Sequence, residues 1–392
     1  EMCIRDSNKE LAEAEYQVNQ KQAVIEKEGI ILEGLTVKNS TGDTELKAGE
    51  DYSAAFDSAT GFLTITMLAG GKGAAATAIK VSGKVIDPSK VTKEDVIGAV
   101  DPSTGAETGA QVIRQVYPRL GIVPGLILAP GWSQIPEVGL ALAAKAAKIN
   151  GVYSAMALLD LDTAKAKKYT DTKSVKEESG YTSPFCYPLW PCDRVGEYIL
   201  AKSAVAGAMI QYMASDNEDV PNQSPSNHLL GVGGQCLEDG TEVYLDQDQA
   251  NTVNGYGVTT AINQNGYRLW GNYTGAYPAS SDAKDIWFAV RRMFSWQGNN
   301  FIQTYFDEVD DPMNNVLVQS VVDSENIRCS AYAPQYWAGA SIEYKSDDNP
   351  KTAILAGTMK FRQHIAPYTP AQEIVDIIDY DTDTLAAAVG GN

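Results

Sequence analysis

The chain has 392 residues, 44% of them hydrophobic and 21% charged, with 50 acidic against 31 basic residues and a formal net charge of −19. That length and balance describe a folded protein of two or three domains. The acidic excess argues against a nucleic-acid binder, which needs a basic face for phosphates, and it keeps free copies of the chain apart in solution.

The first seven residues, Glu1-Met2-Cys3-Ile4-Arg5-Asp6-Ser7, resemble translated adapter read-through. They read as non-native, with the natural N-terminus expected to be missing. Asn8–Gly29 is rich in Ala, Glu, Gln and Lys with no internal Gly or Pro, which predicts a helix left over from an upstream region. From Ile30 the texture changes to strands. Ile31-Leu32 and Leu35-Thr36-Val37 are short ones, Phe62–Met67 alternates at period two, and Ala78–Val85 follows a glycine turn. Residues 30–98 are therefore expected to form a small β-rich domain, placed on the outside of any assembly by its mixed charge. From Val112 the pattern becomes α/β. Gly125–Pro130 is a buried-type strand, Pro136–Ile149 an alanine-rich helix and Val152–Leu161 a second buried-type strand, the spacing of a right-handed crossover. Further helices are expected at Ser203–Ala214, Trp287–Ser295 and Asp323–Cys329 within a core spanning 99–366. Pro367 and Pro370 mark off an acidic C-terminal arm, 367–392, containing the apolar run Ile374–Tyr380. No segment has the ~18 continuous apolar residues that a bilayer span requires.

Residues able to carry chemistry are sparse. Gly70-Gly71-Lys72-Gly73 lacks the Ser or Thr and the upstream glycine of a phosphate loop, and it joins two strands, so a hairpin turn is the better reading. Asp160-Leu161-Asp162 closes a strand and could hold a divalent metal for transfer or hydrolysis. The bland reading is that these acids cap a following helix, Thr163–Lys168. Five scattered cysteines, Cys3, Cys186, Cys192, Cys236 and Cys329, fit neither a disulfide framework nor a zinc site. The two histidines, His228 and His364, have no serine elbow to serve, and His364 is expected on a strand. Asp379, Asp381 and Asp383 alternate like a calcium loop but lack its glycine and glutamate, which leaves the polar face of an extended segment. No catalytic site, cofactor or metal is expected.

Several stretches in order carry a different signal. They are Tyr117–Ser133 (YPRLGIVPGLILAPGWS), Ser203–Gly207, Ser224–Asn227, Asn265–Thr274 (NGYRLWGNYT), Trp287–Met293 (WFAVRRM) and Pro370–Ile374. Together they resemble the tail sheath proteins of contractile phage tails and phage-tail-like bacteriocins, over roughly residues 30–392. One departure is Tyr273, where the family usually has a basic residue before the threonine. The resemblance implies a mixed α/β and α+β fold: an α/β sheath core, a small β-rich domain and an extended C-terminal arm. It implies a structural subunit, six per ring, in stacked rings around a tail tube. Its partners would be other sheath subunits, the tube, the baseplate and tail-terminator proteins, with no direct nucleic-acid contact and no membrane insertion, and its place the virion. The assembly residues it points to are Arg268, Trp270, Gly271, Arg291 and Arg292 in the core, and Ile374, Ile377 and Ile378 in an arm that docks on a neighbour. In this reading Arg268 forks onto carboxylates or carbonyls while Trp270 fills a core.

Overall fold

The computed structural model describes residues 7–390; Ser7 alone of the seven expected non-native residues lies within that range. The chain divides into two compact units, one ending at Ile122 and the other starting at Val123, further along than the expected boundary at residue 98.

The first unit opens with strands where a helix is expected. β1 (Asn8–Gln17) and β2 (Gln22–Ile25) are joined by a tight turn at Gln20 and Lys21, whose φ angles are 50° and 68°, with Asn19 and Gln22 exchanging two backbone hydrogen bonds of 2.8 Å. Helix propensity is overridden by pairing. β1 lies antiparallel to β7 (Ala78–Ile86) in a register that sets Glu10 opposite Lys84 and Glu15 opposite Lys80. In β2, Ala23 and Ile25 alternate inward. β3 (Ile30–Asn39) merges the two expected short strands through an irregularity between Ile31 and Thr36. With β4 (Glu45–Leu46), β5 (Tyr52–Phe56) and β6 (Leu63–Met67) the unit forms two antiparallel sheets, β1-β7-β3-β4 and β2-β6-β5. Leu11, Ile25, Val37, Leu63, Ile65 and Val81, drawn from both sheets, fill one core.

The 70–73 loop joins β6 in one sheet to β7 in the other, so it is a crossover and not a hairpin turn. The Lys72 amide donates to Asp51 Oδ1 at 2.7 Å, and a Cβ on Gly71 would lie 2.6 Å from Asp51 Cα. Close backbone approach is what the glycine serves here. Two short helices, α1 (Lys93–Ile97) and α2 (Val116–Leu120), complete this unit.

The second unit begins with the expected crossover. β8 (Leu126–Leu128), α3 (Pro136–Ala147), β9 (Met156–Asp160), α4 (Thr172–Ser179) and β10 (Cys186–Leu189) build a parallel sheet in the order β8-β9-β10. Every residue of β9 is buried, as a strand covered on both faces requires. An antiparallel sheet follows, β12-β11-β13, from β11 (Cys192–Val195), β12 (Tyr198–Leu200) and β13 (Gly234–Cys236), with α5 (Lys202–Ser215) between β12 and β13 in sequence. α6 (Gln247–Gly255) leads into the hairpin β14 (Thr260–Asn263) and β15 (Tyr267–Trp270). Met156, Leu158, Tyr187, Leu189, Ile210, Leu269 and Phe288 form the core on which these elements meet.

Beyond the hairpin come α7 (Ala283–Ile286), α8 (Phe288–Thr304) and α9 (Asn315–Ala331). The last two run well past the expected 287–295 and 323–329. In α9 the run Asn315-Val316-Leu317-Val318 looks unhelical, yet Asn314 caps it by accepting from the Leu317 amide at 2.9 Å. A second core gathers Val220, Met293, Cys329, Tyr336 and Trp337. Last come β16 (Trp337–Glu343), α10 (Lys351–Leu355), β17 (Arg362–Pro367) and α11 (Thr382–Ala388), with β16 and β17 alone making a two-stranded antiparallel sheet.

Candidate assembly interface

The Tyr267–Trp270 strand shows why a chain keeps so particular a segment. Side chains alternate across a strand, and here Tyr267 and Leu269 point into the core while Arg268 and Trp270 face partly outward. Leu269 is the residue that fills the core, and Trp270, expected there, is half-buried and donates from Nε1 to Asn251 Oδ1 at 2.9 Å. The fully buried tryptophans are Trp190 and Trp337. Arg268 forks onto two backbone carbonyls, Gln264 at 3.1 Å and Asn227 at 2.8 Å. It thereby clamps the segment around Asn227–Leu230 along the outer edge of β15, where Leu269 also donates to the His228 carbonyl at 2.9 Å. Burial and the nearby Arg268 charge together push the His228 pKa down.

Gly271 closes the strand with φ at 145°. A Cβ there would meet Thr259 Oγ1 at 2.6 Å and Asn254 Oδ1 at 2.8 Å, so no larger residue fits. Its carbonyl accepts the Tyr187 hydroxyl at 2.7 Å and its amide donates to Ser226 Oγ at 3.0 Å. The Tyr187 bond locks the end of the hairpin to β10, the edge of the parallel sheet, and the Ser226 bond ties it to the 224–227 loop.

Arg291 and Arg292 lie on the first turns of α8. Arg291 pairs with Asp285 at 3.2 Å and stacks over Phe185 at 4.3 Å. Arg292 lies 5.6 Å over Phe288 and lines a small cavity with Asn217, Val220 and Gln223; burial pushes its pKa down to about 10. Both are therefore committed to the core by their contacts with aromatic rings.

The C-terminal arm leaves the body close to this region. Tyr273 stacks on Tyr277, ring centroids 3.8 Å apart, and on Trp287 at 4.8 Å. Its hydroxyl donates to Gln372 Oε1 at 2.6 Å. Beyond that tether the Ile374–Tyr380 run makes no strand pairing among the described residues, and Ile374, Ile377 and Ile378 are 90%, 79% and 87% exposed. Asp379, Asp381 and Asp383 do not share one extended segment: Asp381 caps α11 through the amides of Asp383 and Thr384, and Asp383 lies in its first turn.

The acid pair at the end of β9 does not form a metal site. Asp160 is buried and accepts from Ser203 N at 2.8 Å, Ser203 Oγ at 2.5 Å and Ser133 Oγ at 3.1 Å. It caps the start of α5, far along the chain, and burial holds its carboxyl above the usual range despite these bonds. Asp162 turns to the Ala164 amide at 2.8 Å, and the expected helix 163–168 is a turn. Among the described residues no group of three His, Cys, Asp or Glu side chains is placed to hold a metal. Cys186, Cys236 and Cys329 are buried free thiols and Cys192 is half-buried; Cys3 lies outside the described residues. His364 sits on β17, as expected, 2.9 Å from Glu343. Sequence reasoning missed the Asp160 cap, because its partner helix is distant in the chain.

No family profile matches the chain. Its relatives do speak to the fold just described. The tail sheath protein of Burkholderia phage BcepMu is 26% identical over 374 residues, covering 91% of this chain and 76% of that one. The tail sheath protein of Escherichia phage P2 is 24% identical over 294 residues, covering 72% and 69%. Among solved structures, the sheath of an extracellular contractile injection system, the PVC sheath complex in its contracted state, superposes with a TM-score of 0.55 at 18% identity, covering 71% of this chain and 76% of that one. The fold is thus that of a contractile sheath subunit. Over most of its length the chain is similar to the tail sheath proteins of contractile phages.

Proposed function

We propose that this chain assembles with copies of itself, six to a ring, into a sleeve around a tail tube. Shortening of the sleeve drives the tube through a target envelope, with baseplate and terminator proteins at its ends. The role is structural and not enzymatic, and its place is the virion tail, assembled in the host cytoplasm.

The observation that carries this reading is the unpaired arm. Extended backbone cannot leave its amides and carbonyls unsatisfied once buried, and three exposed isoleucines in a row of seven residues ask for a partner surface. A sheet of two strands is marginal by itself, and β16–β17 is such a sheet. The open edges of that sheet in a neighbouring copy make it the dock for Ile374–Tyr380, by strand addition. Arg268, Trp270, Gly271, Arg291 and Arg292 act indirectly, by fixing the body from which Tyr273 and Gln372 launch the arm. The first unit is an outer decoration, away from the inner wall. Truncating the chain after Pro370 and imaging the product by electron microscopy tests the reading. Loss of ordered tubes with the body still folded is expected; normal, contractile sheaths without residues 371–392 would sink it.

A further inference from the structure

Asp193, the second residue of β11, and Lys202, the first of α5, are paired where neither side chain touches solvent, both being 0% exposed. Lys202 Nζ donates to Asp193 Oδ1, and Asp193 Oδ2 has no hydrogen-bond partner among the described residues. A buried ion pair repays its desolvation only when the remaining lone pairs are also satisfied. Here one is not, and burial lifts the Asp193 carboxyl above its usual range.

The backbone leaves the two groups no freedom to part. Asp193 is on the central strand of its sheet, between Leu200 of β12 and Gln235 of β13. Lys202 is held by its neighbour Ser203, whose amide and hydroxyl both bind Asp160. The Lys202 nitrogen and the Asp193 carboxyl group are thereby held at hydrogen-bond distance in a dry site, the condition under which a bimolecular condensation becomes unimolecular. A cleft of about 300 Å³ runs alongside, lined by Cys192 and Ala201, the chain neighbours of the two residues, and gives a small leaving molecule a way out.

We propose that Lys202 and Asp193 are joined by an intramolecular isopeptide bond that forms by itself once the chain has folded. A proton passes from the ammonium to the carboxylate, which leaves an uncharged amine and acid, the pair that a low-dielectric site favours over the ions. Nζ then adds to Asp193 Cγ, the Cγ–Oδ1 bond breaks, and Oδ1 departs as water with the proton it received and one from Nζ. Ammonium plus carboxylate becomes amide plus water, with no oxidant or cofactor. The product carries no charge, and Asp193 Oδ2 survives as the amide carbonyl. Such a link would brace the β11–β13 sheet against the start of α5 in a subunit built to bear load.

Mass spectrometry of the purified full-length chain under denaturing conditions decides the matter. The folded protein should weigh one water less than its sequence. A tryptic digest should then contain a branched peptide joining the segment that ends at Arg194 to one with an uncleaved Lys202. An Asp193→Ala chain should recover the full sequence mass and lose the branched peptide. A wild-type chain at full mass, with those two segments separate, would overturn the proposal. A water deficit that persists in Asp193→Ala would overturn it too.

Discussion

Within Tyr267–Trp270 the residue with the largest side chain is not the one that matters most to the fold. Trp270 and Arg268 draw the eye in the sequence, but alternation sends Leu269 inward, where it is fully buried among Met156, Leu158 and Phe288. Truncating a fully buried leucine removes transfer energy and leaves a cavity, typically at about 2–5 kcal/mol. Arg268 holds two carbonyls at the surface and leaves no buried carboxylate orphaned when it is removed, so its loss costs about 1–2 kcal/mol. Urea unfolding should therefore rank Leu269→Ala as clearly more damaging than Arg268→Ala, with Trp270→Ala between them. Equal midpoints for Leu269→Ala and the wild type would refute this placement. The same physics hid the Asp193–Lys202 pair: each residue by itself reads as an ordinary exposed charge, and only their shared burial marks them out.

At the level of elements, the β16–β17 sheet is tied together by exposed charge pairs that can be titrated. Lys345 and then His364 hold the Glu343 carboxyl below its usual 4.5, and Arg362 holds Asp348 below 3.8. A carboxyl whose pKa is depressed by folding contributes stability above its unfolded pKa and loses it as pH falls through the folded value. The sheet should hold from neutral pH down to about 4.5 and loosen progressively below that, the more readily because these groups are solvated and the effect is screened by salt. Hydrogen exchange over residues 337–367 measures this directly. Protection that is unchanged between neutral pH and about pH 3, after correction for intrinsic exchange rates, would show that the charge pairs hold nothing. β1 and β2 teach a complementary lesson. Their Ala, Glu and Lys content favours a helix, but Glu10 and Glu15 find Lys84 and Lys80 across β7, a pairing written in residues some seventy positions away. No glycine marks the turn either, since Gln20 and Lys21 take the positive φ angles themselves.

Across the whole molecule, the first unit extends from β1 to α2, and that revises how it can be removed. Cutting out Leu35–Val85 alone would strip β1 of β7 and β2 of β6, leaving exposed strand edges that aggregate. Removing everything before Val123 keeps the second unit entire. The expectation is a soluble second unit that still assembles, and a soluble, folded product unable to polymerise would count against the first unit as a decoration. The sequence alone determined the parallel α/β crossover of β8, α3 and β9, because continuous apolar runs and an alanine-rich helix are local signals. It determined the alternation of β6 and the likeness to tail sheath proteins as well, through short motifs kept in order. Tertiary structure decided the rest. It turned an apparent helix into β1 and β2, chose Leu269 over Trp270 for the core, sent Asp160 to cap α5 and left Ile374, Ile377 and Ile378 uncovered. Each of these depends on whether a partner distant along the chain pairs with or covers the residue, and the free energy of pairing and burial between distant segments exceeds the fraction of a kcal/mol per residue that local propensity supplies.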